Sequence, residues 1–535
     1  MTHAKKTQPI ASTVAVKTAR GMVATSESTA ADIGLDILKK GGNAVDAAIA
    51  TAAALTVVEP TSNGIGADAF ALIWHQGRLH GLNGSGRSPE KLTIDGIRRR
   101  GHTTMPPYGL EPVTVPGAPA AWATLSKRFG RLSLETTLAP AIRLAKEGFV
   151  LQETVARHWQ RAVTVYRKSL DETLGEPWME TFTVDGRAPR TQERFRLADH
   201  ARTLERIART DAADFYRGEL AERIDAFSRE HGGFIRKRDL QAHVSEWVEP
   251  IKTSYRGVDV FELPPNTQGL VALQALAIME RFPYGGWCDE TTLHRAIEAI
   301  KIAFAEAEYA LADPATMPCG SDAFLKRSTI DAYAASIGES AQLRTKTPRQ
   351  RSGTVYLASA DDEGTMVSFI QSNYMGFGSG IVVPGTGIAL QNRGHNFSLD
   401  PSHPNALAPR KRPYHTIIPG FLLKDGEALG PFGVMGGFMQ PQGHLQVVSA
   451  LIDGGMDPQE ALDLPRWRWV KDQEVEFEEA FPRDVVSALR DRGHVVGIAE
   501  NRTPFGRGQI ILKTPGIIEY RGGSDRRSDG KAAAW

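Results

Sequence analysis

A threonine at position 354 has the type and the surroundings of a nucleophile that its own chain could expose. It follows Ser352 and Gly353, between a polar stretch at residues 339–352 and an apolar, β-branched run at residues 355–359. A threonine hydroxyl is a weak nucleophile unless a base lies beside it. Cleavage of the Gly353–Thr354 bond would put a free α-amine, of ordinary pKa about 7.7–8.0, on the same residue. Nucleophile and general base would then be one residue.

The same residues also have an ordinary structural explanation. Threonine is β-branched and favoured in strands, so Thr354 could simply begin one. Residues 361–364, Asp-Asp-Glu-Gly, join the run at 355–359 to an alternating run at 366–372, which is a strong hairpin signal. Taken alone, this local sequence favours the strand start over the nucleophile.

The common catalytic motifs are absent from the sequence. It contains no HExxH, GxSxG or Walker A pattern. Residues 376–380, Gly-Phe-Gly-Ser-Gly, look like a phosphate-binding loop, but no lysine follows them. Cys288 and Cys319 belong to no CxxC or Cys/His metal pattern. We therefore expect neither a metal nor an organic cofactor.

The charge balance excludes some classes of partner. Lysine and arginine number 63 against 62 aspartate and glutamate residues, whereas a nucleic-acid-binding protein needs clustered excess cation. The basic runs at residues 98–100 and 236–238 are short enough to be solvated faces. Residues 1–20 lack the apolar core of a secretory signal, and no stretch approaches the roughly 20 apolar residues of a membrane helix. We expect a cytoplasmic protein with neither nucleic-acid nor membrane partners.

The elements around these motifs can be predicted from periodicity. Residues 24–60 predict two helices, the first capped by Ser26 or Ser28 and the second, at 44–58, capped by Asn43. The second is alanine-rich on all sides, which is typical of a buried helix. Residues 70–74 and 78–82 predict a hairpin, and residues 118–340 are mainly helical. After residue 353, strands alternate with helices.

Several of these motifs, taken in order, resemble the γ-glutamyltranspeptidase family. Residues 41–48, Gly-Gly-Asn-Ala-Val-Asp-Ala-Ala, with Glu-Pro at 59–60 and Gly-Ile-Gly at 64–66, are similar to the family's N-terminal signature. Thr354 precedes the turn glycine Gly364 by the ten residues that separate the family's nucleophile from its hairpin glycine. The matches continue with residues 377–380, Lys-Arg-Pro at 411–413 and a glycine pair at 436–437, so the resemblance covers nearly the whole chain.

The resemblance implies both a fold and a set of catalytic roles. The fold would be the α/β (α+β) four-layer αββα sandwich of N-terminal-nucleophile hydrolases. One precursor would be cut into a large subunit, residues 1–353, and a small subunit, residues 354–535, which stay associated; a dimer of such heterodimers is left open. The family's nucleophile matches Thr354, and a hydroxyl residue that orients it matches Ser372. The glycines whose N–H groups stabilise the oxyanion match Gly436 and Gly437.

The family's substrate-binding positions are changed in this chain. An aspartate that grips the substrate's α-amino group is replaced by an asparagine, and a neighbouring glutamine by an arginine. The serine pair that holds the α-carboxylate is replaced by His-Thr, a contact asparagine by tyrosine, and the family's arginine falls at Ser85, two positions before another arginine. The predicted substrate-binding residues are therefore Arg87, Tyr374, Arg393, Asn396, His415 and Thr416.

These changes point to an amide substrate that carries a carboxylate but no free α-amine, because an added guanidinium attracts carboxylates and repels ammonium. Oxamate-like and glutaryl-like amides fit, as in the family's oxamate amidohydrolases and glutaryl-cephalosporin acylases. One alternative is a true γ-glutamyl hydrolase or transpeptidase acting on glutathione-like substrates, and another is a non-catalytic binding relative. Arg87 or Arg393 could instead form an ion pair, and His415 could serve in hydrogen bonding or packing. Transfer to an amine rather than water stays open.

Overall fold

The computed structural model describes residues 14–343 and 353–535, so residues 344–352 of the predicted linker lie outside the described residues. The strands in chain order are β1 Val16–Thr18, β2 Met22–Thr25, β3 Asp68–His75, β4 Arg78–Asn83, β5 Phe149–Val150, β6 Arg194–Phe195, β7 Glu246–Val248, β8 Ile251–Tyr255, β9 Val258–Glu262, β10 Gly353–Ala360, β11 Met366–Tyr374, β12 Val382–Val383, β13 Ile388–Ala389, β14 Gly420–Lys424, β15 Glu427–Met435, β16 Trp467–Lys471, β17 Glu474–Phe477, β18 Val495–Ile498, β19 Arg507–Lys513, β20 Tyr520–Ser524 and β21 Lys531–Ala534.

The α-helices in chain order are α1 Ser28–Lys39, α2 Ala44–Val58, α3 Ile94–Arg99, α4 Ala118–Phe129, α5 Leu134–Glu147, α6 Glu153–Ser169, α7 Glu172–Phe182, α8 Ala198–Arg209, α9 Ala213–Arg217, α10 Glu219–Glu230, α11 Lys237–Gln241, α12 Gly269–Met279, α13 Glu290–Ala310, α14 Ser321–Phe324, α15 Arg327–Ala335, α16 Met439–Ile452, α17 Pro458–Asp463 and α18 Arg483–Asp491. Within the described ranges, none of these helices has the length and apolarity needed to cross a membrane.

Two large sheets form the middle of the molecule, each with seven strands among the described residues. One has the order β21-β2-β10-β11-β3-β4-β7, and the other has the order β1-β20-β19-β15-β14-β9-β8. Helices α1 and α2 pack on the outer face of the first sheet, and α12 and α16 pack on the outer face of the second. This is the predicted four-layer αββα sandwich, in which each sheet buries both faces.

Alternation along the strands separates the two apolar layers of the first sheet. On β3, Phe70, Leu72 and Trp74 face the second sheet, whereas Ala69 and Ala71 face the helices. Successive strand side chains point to opposite faces, so one strand supplies both cores. Even-numbered positions of β3, β10 and β11 therefore project into the space between the sheets.

The helices that cover the first sheet begin at specific caps. Every residue of α2 is buried, as its composition predicted, and Asn43 forms a capping box with Asp46. The first helix differs from the prediction, because the side chain of Glu27, rather than of Ser26 or Ser28, accepts the N–H of Ala30.

The predicted hairpin after the Gly353–Thr354 junction is also present. Strands β10 and β11 pair antiparallel from Gly353–Tyr374 to Ala360–Met366, with an irregularity in register between Gly353 and Val355. Gly364 lies in the turn with φ of 86°, a conformation that favours glycine. The hairpin thus places Thr354 and the end of β11 side by side.

Candidate active site

Thr354 lies at the start of β10, fully buried in the space between the two sheets. Its hydroxyl Oγ1 donates a hydrogen bond of 3.1 Å to Oγ of Ser372 on β11. The register irregularity beside Gly353 sets Thr354 at a local break in the ladder. The two hydroxyls that the sequence predicted to act together are therefore in contact.

The hydroxyl of Ser372 uses its full bonding capacity at the peptide junction. Its oxygen accepts from Thr354 and from the backbone N–H of Tyr374 at 2.8 Å. Its proton is then free to donate to the carbonyl oxygen of Gly353, 2.6 Å away. Ser372 therefore touches both the hydroxyl and the carbonyl of the Gly353–Thr354 bond.

The glycine pair follows β15 and leads into α16. Gly436 has φ of 139° and Gly437 has φ of 62°, so both occupy the region that favours glycine. The carbonyl of Gly436 accepts the N–H of Met439 at the start of α16. Because N–H and C=O of a trans peptide point in opposite directions, the N–H of Gly437 is directed away from the helix. An N–H directed in this way is suited to stabilising an oxyanion.

Gln268 stabilises this turn, and its role in the site was not predicted from the sequence. Its Nε2 donates to the carbonyl oxygens of Gly437, at 2.8 Å, and of Thr416. Its Oε1 accepts from the hydroxyl of Tyr414 at 2.9 Å. One buried amide thus fixes the glycine turn relative to the segment that carries the predicted substrate residues His415 and Thr416.

Arg393 is completely buried and has few partners. Its Nη1 donates to Oγ1 of Thr416 at 2.6 Å, and its guanidinium lies 4.6 Å from the centre of the Tyr374 ring. Its Nε and Nη2 have no hydrogen-bond partner among the described residues. Burial lowers the pKa of Arg393 to about 10, so the group stays cationic near neutral pH. A buried cation with unused donors is suited to receiving an anion.

Asp68 places a carboxylate in the same buried region as Arg393, and the sequence did not predict it as a site residue. It is paired with Ser372 across β3 and β11, so the two side chains share a face of the sheet. Its Oδ1 accepts the N–H of Gly86 at 3.0 Å, and its Oδ2 lies 3.1 Å from Nε2 of His415. Burial raises the pKa of Asp68 to about 7, although Arg393 acts to lower it.

His415 lies buried between Asp68 and Phe70. Its ring is 4.7 Å from the Phe70 ring in an edge-to-face arrangement, and its Nδ1 faces the N–H of Ile417. Burial lowers the pKa of His415 well below its usual value, so the ring is neutral and donates from Nε2 to Asp68. This is the hydrogen-bonding role that the sequence left open for His415.

Two predicted substrate residues have other partners. Arg87 was predicted to bind substrate, but its half-exposed guanidinium pairs with Asp313 at 3.0 Å and with Glu246 at 3.3 Å. These carboxylates satisfy its charge, so the substrate role for Arg87 is not supported. Asn396 donates from Nδ2 to the carbonyl of Tyr414 at 3.0 Å and braces the segment before His415.

The missed residues carried weak sequence signals. Asp68 is the one charged residue at the head of an otherwise apolar strand, Asp-Ala-Phe-Ala-Leu-Ile-Trp, which could have marked it. Gln268 gave no comparable signal, because an amide before an apolar helix is common. Both enter the site only through tertiary packing.

Comparison with known proteins identifies the class to which this fold and site belong. The model of the family described as gamma-glutamyltranspeptidase matches residues 30–535. The chain therefore belongs to the γ-glutamyltranspeptidase family.

Particular relatives cover nearly the full length. The glutathione hydrolase-like YwrD proenzyme of Bacillus subtilis strain 168 is 36% identical, over 96% of this chain and 98% of its own length. The oxamate amidohydrolase proenzyme of Klebsiella pneumoniae is 34% identical over the same shares. The crystal structure of cephalosporin acylase from Bacillus halodurans is 52% identical with a TM-score of 0.95, covering 100% of this chain and 99% of that one.

Proposed function

We propose that this chain is an autoprocessing threonine amidohydrolase, cut between Gly353 and Thr354 into residues 1–353 and 354–535. Its substrate would be a small amide that carries a carboxylate but no free α-amine, of the oxamate or glutaryl type. The reaction would proceed through an acyl-enzyme on Thr354. The contact of Ser372 with both sides of the junction supports the cut, and the buried, under-bonded Arg393 carries the substrate assignment.

The cut would begin at the Gly353 carbonyl. Ser372 donates to its oxygen at 2.6 Å, which withdraws electrons from the carbon and stabilises negative charge on the oxygen. Oγ1 of Thr354 attacks that carbon, the C–N bond breaks, and the hydroxyl proton passes to the departing nitrogen. Water then hydrolyses the resulting ester, leaving a carboxylate on Gly353 and a free amine on Thr354.

Turnover would reuse the same oxygen. The new α-amine accepts the hydroxyl proton of Thr354 while Oγ1 attacks the substrate amide. The N–H of Gly437 is directed away from α16 and would stabilise the tetrahedral oxyanion, an effect worth about 3–4 kcal/mol for a preorganised donor. The amine leaves with the proton, and water releases the acyl group as a carboxylic acid.

The substrate class follows from the charge of the pocket. Nε and Nη2 of Arg393 are adjacent donors on one planar fork, which is the geometry that receives both oxygens of a carboxylate. Desolvation strengthens this attraction, because the fork is completely buried. The names of two relatives, an oxamate amidohydrolase and a cephalosporin acylase, agree with this assignment.

A γ-glutamyl donor is the alternative, and it would need an acceptor for its ammonium group. The carboxylate of Asp68 is already engaged by Gly86 and His415. Asn396 is an amide where the family has a carboxylate, so it offers an ammonium no negative charge, and its Nδ2 donates to the carbonyl of Tyr414. These contacts favour a donor without an α-amine.

Gel electrophoresis and intact-mass measurement test the cut. Wild type should give two fragments, whereas Thr354→Ala should remain a 58.3 kDa chain and lose at least about 10³-fold in amidase activity, because no nucleophile remains. Thr354→Ser is the matched control, since it keeps a hydroxyl and should still be cut. An active, uncut wild-type chain would contradict the proposal, and an uncut, inactive one would favour a binding relative.

A panel of amides tests the substrate class. Oxamate, a glutaryl anilide and a γ-glutamyl anilide share a carboxylate and differ in length and in the α-amine. We expect kcat/KM to be highest for oxamate or the glutaryl compound. Faster release of γ-glutamyl groups would contradict the proposal that the substrate lacks a free α-amine.

A further inference from the structure

The pocket around Arg393 holds a carboxyl–imidazole pair with no assigned role. Asp68 and His415 are both completely buried, and their side chains are 3.1 Å apart. Asp68 lies beside Ser372 in the sheet register, and it interacts electrostatically with Arg393 without a direct ion pair. The pair is therefore close to both the catalytic hydroxyls and the proposed carboxylate receptor.

When Asp68 is ionised, the charges in this compartment balance only while it is empty. Arg393 contributes one positive charge and Asp68 one negative charge. Because both side chains are completely buried, water does not screen either charge. A bound substrate carboxylate would bring a second negative charge. Two anions sharing one dry cation are unfavourable, and the usual relief is that one carboxyl takes up a proton.

Two neighbouring groups, Arg412 and Tyr216, do not supply that relief, and the α-amine that the proposed cut would create on Thr354 is distinguished from Asp68 by the experiment below. Arg412 is paired with Glu246 at 2.7 Å and donates to the carbonyl of Ser85. The hydroxyl of Tyr216 donates to the carbonyl of Pro116 at 2.8 Å, and burial raises its pKa well above the usual value. Arg412 acts on Asp68 electrostatically, but Glu246 offsets its charge, and neither Arg412 nor Tyr216 is placed to take up a proton.

We infer that the Asp68–His415 pair takes up one proton when a carboxylate binds Arg393, so that the enzyme recognises its substrate together with a proton. This rests on the proposed function, because it assumes that Arg393 receives the substrate carboxylate. Asp68 is then a specificity-determining residue. When Asp68 is protonated, Arg393 can bind the carboxylate of a substrate. When Asp68 is ionised, its own carboxylate competes with the substrate for the positive charge of Arg393.

The direction of the pH dependence follows. The pKa of Asp68, raised by burial to about 7 in the empty pocket, would rise further when a second anion binds. Carboxylate affinity should level off at its highest value below pH 7, where the pair increasingly holds the proton, as long as the ligand itself stays ionised. Above pH 7 it should fall by up to about tenfold per pH unit, since each binding event must then take a proton from solution.

Calorimetry with pentanoate, a monocarboxylate without an amide, tests the inference on the processed enzyme. At pH 7.5, titrations in phosphate and in Tris differ in the heat of buffer deprotonation, so a difference in observed heat counts protons taken up. We expect a substantial fraction of a proton for wild type and none for Asp68→Asn, which keeps the side chain's size. The wild-type comparison needs no substitution.

The outcomes separate the two proposals. Equal heats in the two buffers would overturn proton uptake, provided that Arg393→Met abolishes pentanoate binding. Uptake that persists in Asp68→Asn would also overturn it, by placing the proton on another group such as the α-amine of Thr354. Pentanoate binding that is unchanged in Arg393→Met would instead contradict the proposed receptor itself.

Discussion

Two buried arginine sites in this molecule differ in how completely their guanidinium groups are bonded. Arg527 and Arg466 are almost fully buried beside Asp525 and Glu478. Arg527 donates to both carboxylates and to two backbone carbonyls, whereas Arg393 donates to a single hydroxyl. Burial acts to lower the pKa of Arg527, but its carboxylates outweigh this and raise it, while burial dominates at Arg393 and lowers its pKa to about 10.

The difference separates structure from recognition. A guanidinium whose donors are saturated by the protein has no capacity left for a ligand and fixes the elements it joins. A guanidinium that is buried with unused donors costs folding free energy, which an anion bonded to those donors would offset. By this criterion the Arg527 site holds the fold together, and the Arg393 site is the one suited to the proposed anionic ligand.

Removing the saturated arginine should give the largest change in stability. Arg527→Met leaves Glu478 and Asp525 buried with less compensation, which should lower the free energy of unfolding by about 3–5 kcal/mol. The midpoint of urea denaturation measures this. Arg526→Met is the matched control. The Arg526 side chain is half-exposed, and its ion pair with Asp463 should contribute at most about 1 kcal/mol to the free energy of unfolding. Equal midpoints for both variants would break the comparison.

Removing the under-bonded arginine should instead affect activity. Arg393→Met should lower kcat/KM by about 10²–10³-fold, the loss of roughly 3–4 kcal/mol expected for a buried charge contact. Stability should be unchanged or improved, because an incompletely bonded charge is replaced by an apolar group. Arg393→Lys should fall between the two, since it keeps the charge but loses the fork. A large loss of stability with full activity would reverse the assignment.

The smallest effect is expected at Arg87, for which the sequence left both a substrate role and an ion pair open. Arg87→Gln removes ion pairs with Asp313 and Glu246 from a side chain that is 42% exposed. Exposed pairs contribute up to about 1 kcal/mol, so stability should change little and kcat/KM should stay within about twofold. Steady-state kinetics on the preferred amide measures this. A loss comparable to that of Arg393→Met would restore Arg87 as a substrate residue.

Much of this site could be predicted because its signals are local. The hairpin turn, the alternation along β10 and β11 and the paired hydroxyls Thr354 and Ser372 lie within one short stretch, and the family motifs gave the four-layer fold. Arg87 and Arg393 could not be separated in the same way, since they share a residue type. Their difference depends on carboxylates distant in sequence, such as Asp313, which only packing brings to Arg87.

The residues that the sequence missed depend on long-range geometry. Asp68 enters the site because β3 pairs with β11 in the register that sets it opposite Ser372. A shift of one residue would turn its side chain toward the helices. Gln268 reaches Gly437 only because the start of α12 packs beside the turn before α16. Neither relation is encoded in the neighbouring sequence.

Strands from the two proposed fragments are interleaved in the first sheet, so the proposed cut should follow folding rather than precede it. Strand β2 lies between β21 and β10, so a strand from before residue 353 is flanked by two from after it. An intact chain brings these strands together at an effective concentration of about millimolar order. Two separate fragments would have to meet by diffusion, and refolding would become second order in protein. Denatured, processed enzyme should therefore recover poorly on dilution, and the proposed cut would leave an enzyme that cannot readily refold once it has unfolded.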